Sequence, residues 1–223
     1  MNVNIVDLGK MEYGKALEIQ EKTVPRVLAR EIDNTLFMVE HPPVITLGRR
    51  AKREHILLSD EELAKEGVEL FDISRGGDVT YHGPGQLVAY PILRLDEFGK
   101  DLHLYVTMLE ETIINLLKKV YDLEPATETG KYTGVYMDSR KITAIGIAVR
   151  KWVSYHGIAF NVKTNLKHFD WIIPCGLADR TVTSLEREIG RAVDFETVKS
   201  QFIQFFAERF EIMPVFKTLE EIL

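Results

Sequence analysis

The sequence predicts a mixed α/β fold: a mixed β-sheet flanked by helices, without the strict strand–helix alternation of doubly wound nucleotide-binding folds. Three observations predict it. Runs rich in β-branched and aromatic residues recur from residue 36 to 162. Fewer but longer segments carry apolar residues at helical spacing, most clearly over 102–120. The chain has 223 residues, 45% apolar and 28% charged, which suits one substantial hydrophobic core, so a single domain over 1–223 is expected.

Taken in order, residues 12–30 place Ala16, Ile19, Val24, Val27 and Leu28 at helical spacing, with Pro25 arguing for a kink or break. Residues 36–39 read as a strand ended by His41-Pro42-Pro43, and 44–47 as further extended chain. Ser59 and Glu62 form a capping box for a short helix over 60–66, with Gly67 as its stop. Strands over 68–73 and 86–93 bracket a glycine-rich loop. Leu102, Tyr105, Met108, Leu109, Ile113, Leu116, Leu117 and Val120 line one face of a helix. Three β-rich runs follow, at 133–137, 141–149 and 152–162, with a turn at Asp138-Ser139-Arg140. Thr183 with Glu186 reads as a capping box for a helix ending near Gly190, and Asp194 caps a longer one to about 211.

The formal net charge of −6 argues against broad nucleic-acid binding, which needs a basic face. No apolar run approaches a membrane span, and the first residues do not read as a signal peptide. One cysteine suits a reducing compartment, so a cytoplasmic location is expected. Six scattered histidines form no metal-ligand spacing, so no metal is expected.

Four constellations can carry chemistry. Arg75-Gly76-Gly77-Asp78-Val79-Thr80-Tyr81-His82-Gly83-Pro84-Gly85-Gln86 holds four glycines in twelve positions. Such a loop lets backbone amides approach a ligand, although a pair of turns accounts for the same composition. It is neither a P-loop nor a dinucleotide fingerprint. Cys175, beside small Gly176, offers a thiolate nucleophile; an inert buried thiol is the commoner situation. Lys141 opens an apolar run, as solvated strand ends often do. His156, followed by small Gly157 and Ala159, is a base, a hydrogen-bonding group or a satisfied core imidazole.

As an ordered set these motifs resemble the lipoyl(octanoyl) transferase family. The resemblance rests on the run from Arg75 through Tyr90-Pro91, Gly134-Val-Tyr, Lys141-Ile-Thr-Ala-Ile-Gly146, His156-Gly-Ile-Ala-Phe-Asn-Val162, Pro174-Cys-Gly-Leu and Val182-Thr-Ser-Leu185. It is strongest over 40–186. It implies a fold like that of biotin and lipoate protein ligases. It implies octanoyl transfer from octanoyl-acyl carrier protein to a lysine of lipoyl domains, those of 2-oxo-acid dehydrogenase E2 subunits and the glycine cleavage H protein, with no cofactor. Cys175 is then the acyl-thioester nucleophile and Lys141 the group that lowers its pKa. The implied substrate-binding residues are Arg75, Gly76, Gly77, Asp78, Val79, Thr80, Tyr81 and His82, then Ala144, Ile145 and Gly146, then Gly157, Ile158 and Ala159. Phe160 stands where the family often has leucine, a change expected to trim the acyl pocket. Gly76, Gly77 and the amide near Gly176 are candidate oxyanion donors. The basic run Arg49, Arg50, Lys52 and Arg53 is either a docking patch for an acidic carrier or a solvated loop. Rival readings are an ATP-dependent ligase on the same fold, a carrier-binding module without activity, and a thioesterase.

Overall fold

The computed structural model describes residues 1–128, 133–173 and 181–223. In chain order the elements are β1 (Asn2–Lys10), α1 (Tyr13–Leu28), β2 (Thr35–Glu40), β3 (Val44–Leu47), α2 (Asp60–Lys65), β4 (Glu69–Asp72), β5 (Val79–His82) and β6 (Gln86–Ile92). There follow α3 (Leu102–Tyr121), β7 (Ala126–Thr127), β8 (Gly134–Met137), β9 (Arg140–Arg150), β10 (Val153–Asn161), β11 (Thr181–Val182), α4 (Leu185–Ile189), α5 (Phe195–Phe210), β12 (Met213–Phe216) and α6 (Leu219–Ile222).

Among the described residues two sheets form. The larger has nine strands in the order β12-β1-β2-β6-β10-β9-β8-β7, with β11 added to β9; the smaller is β4-β3-β5. Parallel and antiparallel pairs mix, so the predicted class holds. One face of the large sheet packs α3 and α5 through Leu109, Ile113, Leu117, Phe202 and Phe206, all fully buried. The other face packs α1 through Ala16, Val24 and Val27. Period-two alternation along β6 and β10 sends successive side chains to these two faces.

Several local rules operate as read. Ser59 accepts from the Glu62 N–H and Glu62 answers the Ser59 N–H, completing the capping box. Asp194 accepts from the Thr197 N–H at 2.8 Å to start α5.

Four readings are corrected. Pro25 does not break α1; it sits on the exposed side, where losing one helical hydrogen bond leaves a carbonyl facing water. Residues 79–82 are a strand, not loop, because they pair with β3 in register Val44↔His82 to Leu47↔Val79. The cap of α4 is Ser184, whose hydroxyl accepts from Arg187 N–H; Thr183 instead donates its hydroxyl to Glu188. Phe160 is fully buried on the α3–α5 face. Its neighbour Ala159 faces the opposite way, so Phe160 does not trim the pocket described next. β1, β12 and α6 had no counterpart in the sequence reading.

Candidate active site

A cavity of about 280 Å³ lies between the α1 face of the large sheet and the small sheet. Strand register builds its floor. Gln86 pairs with Asn161, Val88 with Ala159, Ala159 with Ala144, and Gly157 with Gly146. The floor therefore runs from Gln86 and Asn161, over the apolar rung Val88–Ala159–Ala144, to small Gly157 and Gly146 with Tyr90 beside them. The loop leading into β5 roofs it.

Lys141 also lines this cavity, three residues before Ala144. In a regular strand, odd spacing would turn the two to opposite faces. A bulge removes the conflict. Tyr136 pairs with Lys141 but Val135 with Thr143, leaving Ile142 as the extra residue. Ile142 buries among α3 and α5, and Lys141 turns to the cavity. Its Nζ donates to Thr133 O at 3.3 Å and lies 5.1 Å from the centre of the Tyr136 ring.

At the other end the cavity closes around Arg75, which is 7% exposed. Its guanidinium donates to Thr46 O, Thr46 Oγ1 and Gly76 O, each at 2.9 Å. Glycines make room for it. A Cβ on Gly48 would come within 2.7 Å of Arg75 Nη1, and one on Gly146 within 2.9 Å of Arg75 Cδ.

Beside Arg75 sits a buried aromatic cluster. His41 Nδ1 faces Met11 O at 2.7 Å, so that nitrogen carries the proton, and Nε2 accepts from Tyr90 OH at 2.8 Å. The Tyr13 ring stacks on His82 with centroids 6.0 Å apart. His82 Nδ1 meets Gln86 Oε1 at 2.7 Å, while the Gln86 amide nitrogen donates to Tyr81 O and to Asn161 Oδ1. Burial pushes His41 down to about 4, His82 to about 3 and His156 to about 4; the neighbouring Arg75 charge adds to the last two. Burial also raises Tyr13 and Tyr90 well above the usual phenol range. The cluster is neutral at physiological pH. His156 adopts a positive φ of 57°, and neither of its ring nitrogens has a hydrogen-bond partner among the described residues.

The residues implied by resemblance fall as follows. Arg75, Gly76, Gly77, Asp78, Val79, Thr80, His82, Lys141, Ala144, Ile145, Gly146, Gly157, Ile158 and Ala159 all line the cavity. Tyr81 points into a third cluster, where its hydroxyl meets His168 Nδ1 at 2.7 Å. Asp78 is tied to His55 Nδ1 at 2.8 Å and to its neighbour's amide. The Gly76 amide donates to Ile147 O at 2.9 Å, which removes it from the oxyanion candidates. Cys175 and Gly176 lie outside the described residues, and with them the expected Lys141–Cys175 contact. The chain on either side is anchored: Ile173 N–H donates to His55 O, and Val182 pairs with Lys141. Sequence reading missed Tyr13, His41 and Gly48 as parts of this site, and it held Gln86, Tyr90 and Asn161 within its motifs without assigning them to substrate binding. Arg49 and Arg50, both exposed, also line the cavity, their amides donating to Arg75 O and Gly77 O.

The described residues hold no group of three or more His, Cys, Asp or Glu placed for a metal ion. None of their helices is long and apolar enough to cross a membrane.

Solved structures share this architecture. A lipoate-protein ligase A bound with ATP superposes with TM-score 0.79 at 18% identity, over 100% of this chain and 92% of that one. A bipartite lipoate protein ligase from Thermoplasma acidophilum gives 0.72 at 16%, over 100% and 90%. Biotin protein ligase from Aquifex aeolicus with biotin and ATP gives 0.55 at 16%, over 93% and 70%. The fold is thus that of the lipoate and biotin protein ligases. Sequence comparison narrows the class. Residues 12–207 match the lipoyl protein ligase A/B catalytic domain. Octanoyltransferases from Caldicellulosiruptor bescii and Caldicellulosiruptor saccharolyticus are 52% and 51% identical over 94% of this chain, covering 92% and 89% of theirs. The chain belongs to the octanoyltransferase family of acyltransferases within that domain family.

Proposed function

We propose that this chain moves an octanoyl group from octanoyl-acyl carrier protein to a lysine of lipoyl domains, through a thioester on Cys175. The observation that carries the reading is the cavity floor: an apolar cross-strand rung of Val88, Ala159 and Ala144 lies between Lys141 and the Gly146–Gly157 pair. Lys141 and Gly146 are five steps apart on β9, one of them taken up by the bulge at Ile142, so about 13 Å of strand separates them. That suits a medium-length acyl chain with its reacting end near Lys141.

A free thiol titrates near 8.5, so only a few per cent is thiolate at pH 7. An ammonium that lowers this by about two units contributes ~2.7 kcal/mol and makes thiolate the major form. The thiolate attacks the carrier thioester, and the pantetheine thiol leaves with a proton from Lys141. The lipoyl-domain lysine then attacks the Cys175 thioester; the amide forms, the C–S bond breaks, and Lys141 takes back the amine proton. The first step exchanges like for like and the second runs downhill, so the cycle needs no ATP. Exposed Arg49 and Arg50, which line the cavity, suit an acidic carrier.

The test supplies octanoyl carrier protein and a lipoyl domain without ATP, using the parent and Cys175→Ser. The reading expects octanoylated lipoyl domain from the parent and none from the variant. Transfer only with free octanoate and ATP, surviving Cys175→Ser, would identify a ligase instead. Free octanoate as product would identify a thioesterase.

A further inference from the structure

Glu110 is a buried carboxyl group that no motif contains and the mechanism above does not use. It is 9% exposed, on the face of α3 that meets β8 and β9. Val106, one turn earlier on the same helix, lines the cavity. Glu110 Oε1 accepts the Gly134 N–H at 3.0 Å. Lys141 Nζ donates to Thr133 O at 3.3 Å. That N–H and that C=O belong to one peptide group, which is planar and conjugated. Carboxyl, peptide and amine therefore stand in series, and hydrogen bonds so chained polarise one another.

The peptide is fixed in place. Gly134 has φ 139°, and a Cβ there would lie 2.5 Å from Thr143 O, so only glycine fits. The bulge at Ile142 turns Lys141 onto the same peptide. The charges facing Glu110 are Lys141 on β9 and Glu111 beside it on α3, the latter paired with Arg209 of α5. Burial raises the Glu110 carboxyl above its ordinary value; the Gly134 N–H and Lys141 oppose that rise.

We propose that Glu110 is a positioning residue for Lys141, acting through the Thr133–Gly134 peptide to hold the ammonium where acyl transfer takes place. The assignment rests on the role proposed above for Lys141. It makes Thr133 O a stronger acceptor when Glu110 is ionised, and so couples a carboxylate on α3 to an amine on β9.

The test uses Glu110→Gln, which keeps the shape and the acceptor oxygen but removes the charge, and Glu110→Asp, which keeps the charge but withdraws it from Gly134. Two quantities are read: the pH midpoint of Cys175 alkylation by iodoacetamide in the free enzyme, and kcat and KM for octanoyl carrier protein. Expected for Glu110→Gln are a midpoint about one pH unit higher, kcat about tenfold lower, and KM within twofold of the parent. Glu110→Asp should lose a few-fold in kcat. The midpoint shift should vanish when Glu110→Gln is made in a Lys141→Met background. An unchanged midpoint in a Glu110 variant that melts with the parent, or a shift that persists without Lys141, overturns the proposal. Alkylation needs no acyl donor. An enzyme that forms no octanoyl adduct therefore fails the proposed function alone, and one with a normal adduct but no coupling fails this inference alone.

Discussion

The two ends of the cavity are built on different principles. At the Lys141 end the lysine is half-buried, its direction is set by a one-residue bulge, and its ammonium donates to the Thr133–Gly134 peptide, whose N–H a buried carboxyl accepts. At the Arg75 end buried side chains crowd together: a guanidinium seated among glycines, His41 and His82 packed with Tyr13 and Tyr90, and His156 against Tyr155. The first arrangement leaves a charge able to act on an arriving group. The second closes the floor and fixes its length. In such a site, changes at the lysine end should cost rate, and changes at the arginine end should cost stability and fit.

The largest effect separates them most sharply. Lys141→Met should lower transfer at pH 7 by about 25-fold, the loss of thiolate that a two-unit rise in the thiol midpoint from about 6.5 brings, with little change in melting temperature. A variant that melts early with normal kcat would reverse the roles of the two ends.

Next, Arg75→Ala should destabilise the fold by about 3 kcal/mol, read by denaturant titration, because Thr46 O and Oγ1 lose buried partners. Gly146→Ala should act on fit: its Cβ meets Arg75, so kcat/KM should fall several-fold for octanoyl and less for hexanoyl donors. Equal losses for both would mean that the acyl chain does not reach Gly146.

Acid titration probes the closed end alone. His41, His82 and His156 have folded-state values depressed below 6.5 by burial, so their stabilisation is present above the unfolded value and is lost as pH falls from about 6.5 toward 4. Between pH 6.5 and 5 each should cost about 2 kcal/mol. Glu97 and Glu188 have lowered values and lose stabilisation only below about 4.5. Glu110, raised, works with the opposite sign. Equal denaturant stability at pH 7 and pH 5 would contradict a neutral, buried cluster.

The smallest effect lies at the exposed arginines beside Arg75. Reversing Arg49 and Arg50 to glutamate should lower kcat/KM for carrier protein a few-fold at low salt and hardly at all at high salt. No change at low salt would remove the docking role.

Much of this was legible in the sequence because the relevant rules are local. The 102–120 helix follows from spacing, and the capping box at Ser59 and the cap at Asp194 follow from residue type. The run from Arg75 to His82 is contiguous, so all of its residues except Tyr81 reach the cavity together. Tyr13, His41 and Tyr90 were not legible as one cluster, since α1, the end of β2 and β6 meet only in the folded chain. The bulge at Ile142 was hidden for a related reason: it breaks the parity on which strand reading depends. The same parity, applied to Ala159, would have turned Phe160 away from the pocket. β12 carries exposed Met213 and Phe216, so burial leaves no alternation to read.

The central claim is that the Lys141 end serves a thioester on Cys175. Intact-mass measurement of the enzyme after mixing with octanoyl-acyl carrier protein tests it directly. The account predicts one octanoyl adduct, on Cys175, released by hydroxylamine and passed to a lipoyl domain when that is added. Steady transfer to the lipoyl domain with no adduct on Cys175 under any turnover condition would contradict it.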